Sequence, residues 1–303
     1  MTRTVTLGFD VGVGSADGRA VAATVTAAEN AGFGYVTFDD GDLATGGVDA
    51  VTRAAFVAAT TSTVGLVATA STTYAEPFHQ SSQLASLDYA SRGRAGWVAA
   101  RSLTPDVAAA WGREVVSTDV DLGREQRDSV TVARGLWDSW EDDAVIRDFP
   151  TGRFLDQQKL HYVDFVGEKY SVKGPAIVPR PPQGQVVVFG RFGEIDTDLL
   201  DVVLVENEAD ARAVSGVHVV LDVEAPGDPA AAAALVERIA ALDDAIGGIR
   251  LRPALIDDDL RVAARYLLPQ LFERDLAHRP VPATTLRSTL GLARPVNRFE
   301  AAR

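Results

Sequence analysis

Cysteine is absent from this 303-residue chain, which excludes disulfides, thiolate metal sites and a cysteine nucleophile. Lysine occurs only at 159, 169 and 173, so nearly all the basic charge is arginine. The formal net charge is −13, which argues against a nucleic-acid partner, because such binding depends on phosphate neutralisation. No apolar run approaches the roughly 20 residues of a membrane span. The opening MTRTVTLGFDVG lacks the charged-then-apolar profile of a signal peptide, so a cytoplasmic location and no membrane partner are expected. Four histidines occur, and none falls at the end of an expected strand. The motifs GxSxG, HExxH, GxxxxGK and GxGxxG are all missing. The glycine cluster GFDVGVGSADG reads as a turn that starts a helix at Ser15 or Asp17.

What is present is an alternation of short apolar runs with helical spacing. Strands are expected at Val5–Phe9, Tyr35–Phe38, Val64–Ala68, Ala95–Ala100, Val186–Phe189, Val202–Val205, Val217–Leu221 and Gly248–Leu251. Helices are expected up to Ala31, where Gly32 supplies a C-cap, from Pro77 to a stop at Gly93, and over 48–60, 125–140, 208–213, 230–242 and 258–273. Eight strands, most followed by a helix, imply a parallel sheet that closes into a single (β/α)8 barrel. An open doubly wound sheet is the alternative. Two segments break the alternation. Residues 142–184 form an insertion after the fourth helix, rich in Pro and Gly, with a hairpin-like pair at 161–166 and 169–172; such insertions are often lids or binding loops. Between Phe189 and Val202 the sequence GRFGEIDTDLLD leaves room for only a shortened or missing fifth helix. From Ala277 to Arg303 the chain has three prolines and no periodicity, so an extended arm is expected.

In such a barrel the active site lies at the C-terminal ends of the strands. That rule selects Asp10, Asp39, Asp40, Thr69, Ser71, Thr72, Trp97, Val98, Arg101, Gly190, Arg191, Glu206, Asp222 and Arg252. They include hydroxyls, carboxylates and arginines, and no catalytic residue can be assigned from residue type alone.

The wording of several stretches is specific. TASTTYAEP (69–77), ASLDYAS (85–91), GRAGW (93–97), GLWDSWEDDA (135–144), HYVDFVGEKYSVKGPAIVPRPPQG (161–184), LRPALIDDDL (251–260) and TTLRSTLGLARPVNRF (284–299) occur in that order. Together they resemble the bacterial-luciferase-like flavin monooxygenases, in the branch of the nitrilotriacetate, pristinamycin-synthesis and dibenzothiophene-sulfone monooxygenases. The resemblance implies a barrel enzyme that takes reduced FMN from a separate NAD(P)H-dependent reductase and oxygenates a small organic substrate with dioxygen. Related barrels use a deazaflavin instead, and homodimers are common in the family. By position, the resemblance places Asp39, Asp40, Thr69, Ser71, Thr72, Gly190 and Arg191 at the cofactor. It also exposes departures. Val98 stands where relatives commonly carry an asparagine, and DVDLGREQRD (119–128) lacks a histidine and a tyrosine found there. After the fifth strand the chain reads VVVFGRFGEID, without the serines that hold the FMN phosphate at a helix N-terminus in relatives. A barrel paralogue with weak or no FMN binding, serving as a non-catalytic partner or binding protein, is therefore the alternative function.

Overall fold

The structure is a computed structural model that describes residues 4–12, 17–40 and 47–300. In chain order its strands are β1 (Thr6–Asp10), β2 (Tyr35–Phe38), β3 (Gly65–Ser71), β4 (Ala95–Ala100), β5 (Val145–Asp148), β6 (Arg153–Leu155), β7 (Phe165–Val166), β8 (Ser171–Val172), β9 (Val187–Arg191), β10 (Val202–Val205), β11 (His218–Glu224) and β12 (Ile246–Arg252). The first four and last four are parallel and close into a barrel. Closure is made where β1 pairs with β12, Thr6 opposite Gly248 and Phe9 opposite Leu251. The (β/α)8 barrel read from the sequence is thus the observed fold. Its strands are buried on both sides, which is why they read as continuous apolar runs and not as alternating ones.

Alternation nonetheless decides which side chains reach the lumen. Val67, Val98, Val187, Phe189, Val202, Leu204 and Val220 form an inner cluster with Tyr35. Leu7, Phe9, Val36, Phe38, Leu66, Ala68, Val203, Leu221, Ile249 and Leu251 belong instead to the larger outer core under the helices. Buried polar groups share the lumen. Near its N-terminal end His218 lies 3.4 Å from the Thr6 hydroxyl, and burial depresses its pKa to about 4, which leaves the ring neutral.

The outer layer is α1 (Gly18–Ala31), α2 (Ala50–Ala58), α3 (Pro77–Ala90), α4 (Pro105–Ala110), α5 (Asp119–Asp138), α6 (Glu208–Arg212), α7 (Pro229–Ala240), α8 (Ile256–Val262) and α9 (Leu268–Glu273). Asp17 caps α1 by accepting from Arg19 N, and Gly32, at φ 103°, ends it. The expected helix at 258–273 is interrupted by a π turn over Ala263–Leu267. Pro269 follows at once and lacks the N–H that a regular helix requires. After β9 only a 3-10 turn, Thr197–Leu199, stands where a helix would be. Gly190 explains the close fit of that turn. A Cβ on it would lie within 3 Å of the Ile195 and Leu200 side chains.

The insertion leaves and rejoins the barrel at its N-terminal end. It contains two hairpins, β5 with β6 and β7 with β8. Only the second of them carries a signal in the sequence. The insertion packs on the outer face of α5, where Val132, Leu136 and Trp140 meet Ala144, Val172 and Ala176, with Phe78 of α3 alongside. Its β7–β8 tip reaches toward the barrel mouth, where Glu168 pairs with Arg124 at 2.5 Å.

The tail is not simply extended. A short helix, α10 (Leu286–Thr289), inserts Leu286 and Leu290 into the inner cluster. Leu286 fills the space over Gly65 and Gly96, where Cβ atoms would approach it to 2.6 and 3.0 Å. The tail therefore plugs the N-terminal end of the lumen.

Candidate active site

The C-terminal mouth is built on the inner-facing parity of the strands. Asp10 and Thr37 continue the inner series of β1 and β2, and the Thr37 hydroxyl donates to Asp10 Oδ1 at 2.9 Å. Asp39 extends the Thr37 series by one more alternation. Thr69 and Ser71 extend Val67 on β3, Arg191 extends Phe189 on β9, and Arg252 extends Arg250 on β12.

Beneath them lies a floor of which the strand-end rule selected Asp222 but missed Arg250 and Tyr35. Arg250 is buried and donates twice to Asp222, Nε to Oδ1 at 2.7 Å and Nη2 to Oδ2 at 2.5 Å. Burial works against the arginine's charge, but its hydrogen bonds to Asp222 more than offset it, so the guanidinium keeps its charge. Tyr35 lies over Gly8, whose missing side chain makes room for its ring, and its buried hydroxyl has no hydrogen-bond partner. Burial raises the Tyr35 pKa, so the hydroxyl keeps its proton as a donor. The signal for Arg250 was available in β12, where it falls two positions after Gly248 and two before the rim residue Arg252.

Parity divides the expected cofactor residues into two groups. Asp39, Thr69, Ser71 and Arg191 fall on the inner side. Thr69 is 9% exposed, and Ser71 Oγ accepts from Thr73 N at 3.1 Å. Asp40, Thr72 and Gly190 serve other purposes in this fold. The Asp40 carboxylate accepts from Ala50 N at the start of α2; burial pushes its pKa up to about 6 against that bond. The Thr72 hydroxyl donates to Ala100 O at 3.0 Å and ties β3 to β4. Gly190 faces outward under Ile195 and Leu200. Trp97 also faces outward and meets Trp137 edge-on at 6.4 Å.

Arg53 holds the first two rim loops together. Its guanidinium donates to Val48 O at 3.0 Å, Gly12 O at 3.1 Å and Asp39 O, and it lies 5.8 Å from the Phe38 ring centroid.

The turn after β9 is engaged by other arginines, at the Asp196 carboxylate and at the Glu194 backbone. Asp196 pairs with Arg127 at 2.9 Å, and Arg101 donates to the Glu194 carbonyl and to Gln126 Oε1. Arg191 makes no ion pair with a described residue, so the simple pairing with Glu194 or Asp196 that its position suggests does not occur. The geometry thus offers a closed lumen floored by hydrogen-bonding groups, rimmed by hydroxyls, with a half-buried cation at one side.

Comparison with known proteins agrees with this architecture. Residues 4–198 match the family described as luciferase-like monooxygenase. N-acetyl-S-(2-succino)cysteine monooxygenase of Bacillus subtilis (strain 168) is 46% identical over 132 residues, 44% of this chain but only 30% of that protein. This chain therefore spans less than a third of that relative. One of the pristinamycin IIA synthase subunits of Streptomyces pristinaespiralis is 33% identical over 283 residues, covering 90% of this chain and 89% of that protein. The crystal structure of a riboflavin lyase with modified FMN and riboflavin superposes with a TM-score of 0.84 over 98% of both chains at 19% identity, a likeness of fold. A closed barrel, a match across most of its wall and a relative aligned nearly end to end give one conclusion: the chain belongs to the luciferase-like monooxygenase family.

Proposed function

We propose that the chain is the oxygenating component of a flavin-dependent system, using reduced FMN from a separate NAD(P)H-dependent reductase to oxygenate a small organic substrate. The observation that carries this reading is the inner-facing set at the mouth. Asp39, Thr69, Ser71 and Arg191 surround a lumen whose floor offers the unpartnered Tyr35 hydroxyl and the Arg250–Asp222 pair. Thr69 and Ser71 suit the hydrogen-bonding edge of a flavin ring, and Arg191 suits a phosphate as a bidentate donor. When bound, reduced flavin supplies the electrons that activate dioxygen. The chain's own part is to bind and orient: the closed wall excludes water from three sides, and the Asp222 carboxylate fixes Arg250 in place beneath the mouth.

A second reading is favoured by the turn after β9. It has no helix N-terminus, and it presents Glu194, Asp196 and Asp198 where an anion site would need donors. With Val98 in place of the family asparagine, this suits a non-catalytic partner that binds flavin weakly.

Anaerobic titration with FMN, oxidised and then dithionite-reduced, separates the two. Binding of reduced FMN at micromolar affinity or better supports the oxygenating component; no binding of either form leaves the non-catalytic partner. Size-exclusion chromatography with light scattering tests the homodimer that belongs to the first reading.

A further inference from the structure

Residues 101–118 link β4 to α5 at the mouth, beside Thr69 and Ser71. The inner side of this loop is fastened to Tyr74. Val107, Ala108 and Val116 pack on the Tyr74 ring, Val116 N donates to its hydroxyl at 3.1 Å, and the Arg113 guanidinium lies 5.9 Å from its centroid. The outer side is apolar and unprotected: Leu103 is 61% exposed, Trp111 46% and Val115 44%. The other three tryptophans, Trp97, Trp137 and Trp140, are at 8% or less.

Facing the loop from α5 is Glu125, 3% exposed, whose Oε1 has no hydrogen-bond donor. Burying such an oxygen without a donor is costly. Ser129 lies one helical turn further along the same face, and its hydroxyl is also unpartnered, as is that of Tyr170 from the insertion hairpin. The nearest cation to Glu125 is Arg113, with Nη2 at 3.7 Å from Oε1. A charge-assisted bond needs about 2.8 Å, so the pair is short of completion by roughly one ångström. Arg113 and Trp111 flank Gly112, which has φ 64° and open space around its Cβ position. Any rotation at that glycine moves both neighbours.

We propose that the 101–118 loop is the lid of the mouth, described here in its open position, and that closing over bound flavin draws Arg113 onto Glu125 and buries Trp111. Closure completes an ion pair whose carboxylate already sits out of water, and it covers apolar surface that is now exposed. Arg113 and Glu125 are then positioning residues for water exclusion, acting on the mouth through the loop. This inference rests on the flavin reading of the mouth.

The test is fluorine NMR of the full chain labelled with 5-fluorotryptophan, with the Trp111 resonance assigned by W111F. The difference in its shift between H2O and D2O is measured before and after saturation with FMN, oxidised and then dithionite-reduced under anaerobic conditions. Saturation is followed by flavin absorbance. We expect the solvent shift of Trp111 to fall at least threefold in the bound state, while Arg113→Met and Glu125→Gln bind flavin yet leave Trp111 solvent-sensitive. Arg113→Lys is expected to restore part of the protection. Unchanged exposure of Trp111 with flavin bound to the wild type overturns the lid alone. Equal protection in wild type and both variants overturns the Arg113–Glu125 latch. If absorbance shows no flavin binding in any state, the flavin reading falls and the lid falls with it.

Discussion

The Asp88 carboxylate accepts hydrogen bonds from both amides of Gln183, the backbone N–H at 3.2 Å and Nε2 at 2.6 Å. Ala95 N adds a third at 3.1 Å. One fully buried acid thus joins the end of α3, the start of β4 and the exit of the insertion.

That acid sets a pH dependence. Burial pushes the Asp88 pKa up to about 7, against its three hydrogen bonds. The folded chain therefore holds a proton that the unfolded chain has lost between about pH 4 and 7. This group's contribution is complete below about pH 4 and is lost as pH rises through about 7. Urea midpoints of wild type should exceed those of Asp88→Asn by more at about pH 4.5 than at about pH 7.5. A difference that does not vary with pH would count against the assignment.

Asp201 acts in the opposite direction. It accepts from Arg134 at 3.0 Å, from Arg287 at 2.9 and 3.0 Å, and from Val188 N at 2.9 Å. Burial opposes its ionisation, but the two guanidiniums outweigh burial and hold its pKa below the usual carboxylate range. Its contribution is present above about pH 4 and lost as pH falls. Asp201→Asn leaves the buried Arg287 and the partly buried Arg134 without their carboxylate, at a cost of about 3–5 kcal/mol. Thermal melts at about pH 7 should register the loss, and the deficit should shrink toward about pH 3.

The tail plug is expected to matter as much as a core residue. Leu286→Ala should cost about 2–5 kcal/mol. Gly65→Ala alone crowds Leu286 Cδ1 at 2.6 Å and Tyr35 Cβ at 3.0 Å. Combined, the two substitutions relieve one another, so the double variant should be more stable than the sum of the singles by about 1 kcal/mol. Strict additivity in urea titrations would show that Leu286 does not seat over Gly65.

Arg191 is tested by comparing FMN with riboflavin, which lacks the phosphate. A hydrogen bond to a charged group is worth about 1.5–3 kcal/mol, or roughly 10- to 100-fold in affinity. Wild type should prefer FMN by about that factor, and Arg191→Ala should remove the preference while leaving riboflavin binding alone. An equal preference in both proteins would assign the phosphate elsewhere.

The barrel was legible because continuous apolar runs, helix caps and a terminal glycine are local signals. Tyr35–Phe38, Ala95–Ala100 and Val202–Val205 fall on the strands residue for residue. The site was only half legible. Being near a strand end selected both Thr69 and Thr72, but the side-chain alternation that sends one to the lumen and the other to Ala100 O becomes decisive only when the register is known. Arg250 was missed because it lies inside the strand, where an arginine is tolerated only with a partner supplied by the neighbouring strand. The α4 helix is short and packs on Tyr74, distant in sequence, and the β5–β6 hairpin is short, with an irregular register between its two pairs.

The plug formed by Leu286 and Leu290 also orders events in time. β1 must wait for β12 before the wall can close, and the lumen is not sealed until residues from the tail return to Gly65 and Gly96. On the ribosome, the first strands therefore emerge long before their inner faces have a complete set of neighbours, so the last step of folding is slow and non-local. A chain arrested before Leu286 would leave the apolar inner cluster uncovered at the N-terminal end of the barrel, surface of the kind that makes incomplete chains prone to aggregate.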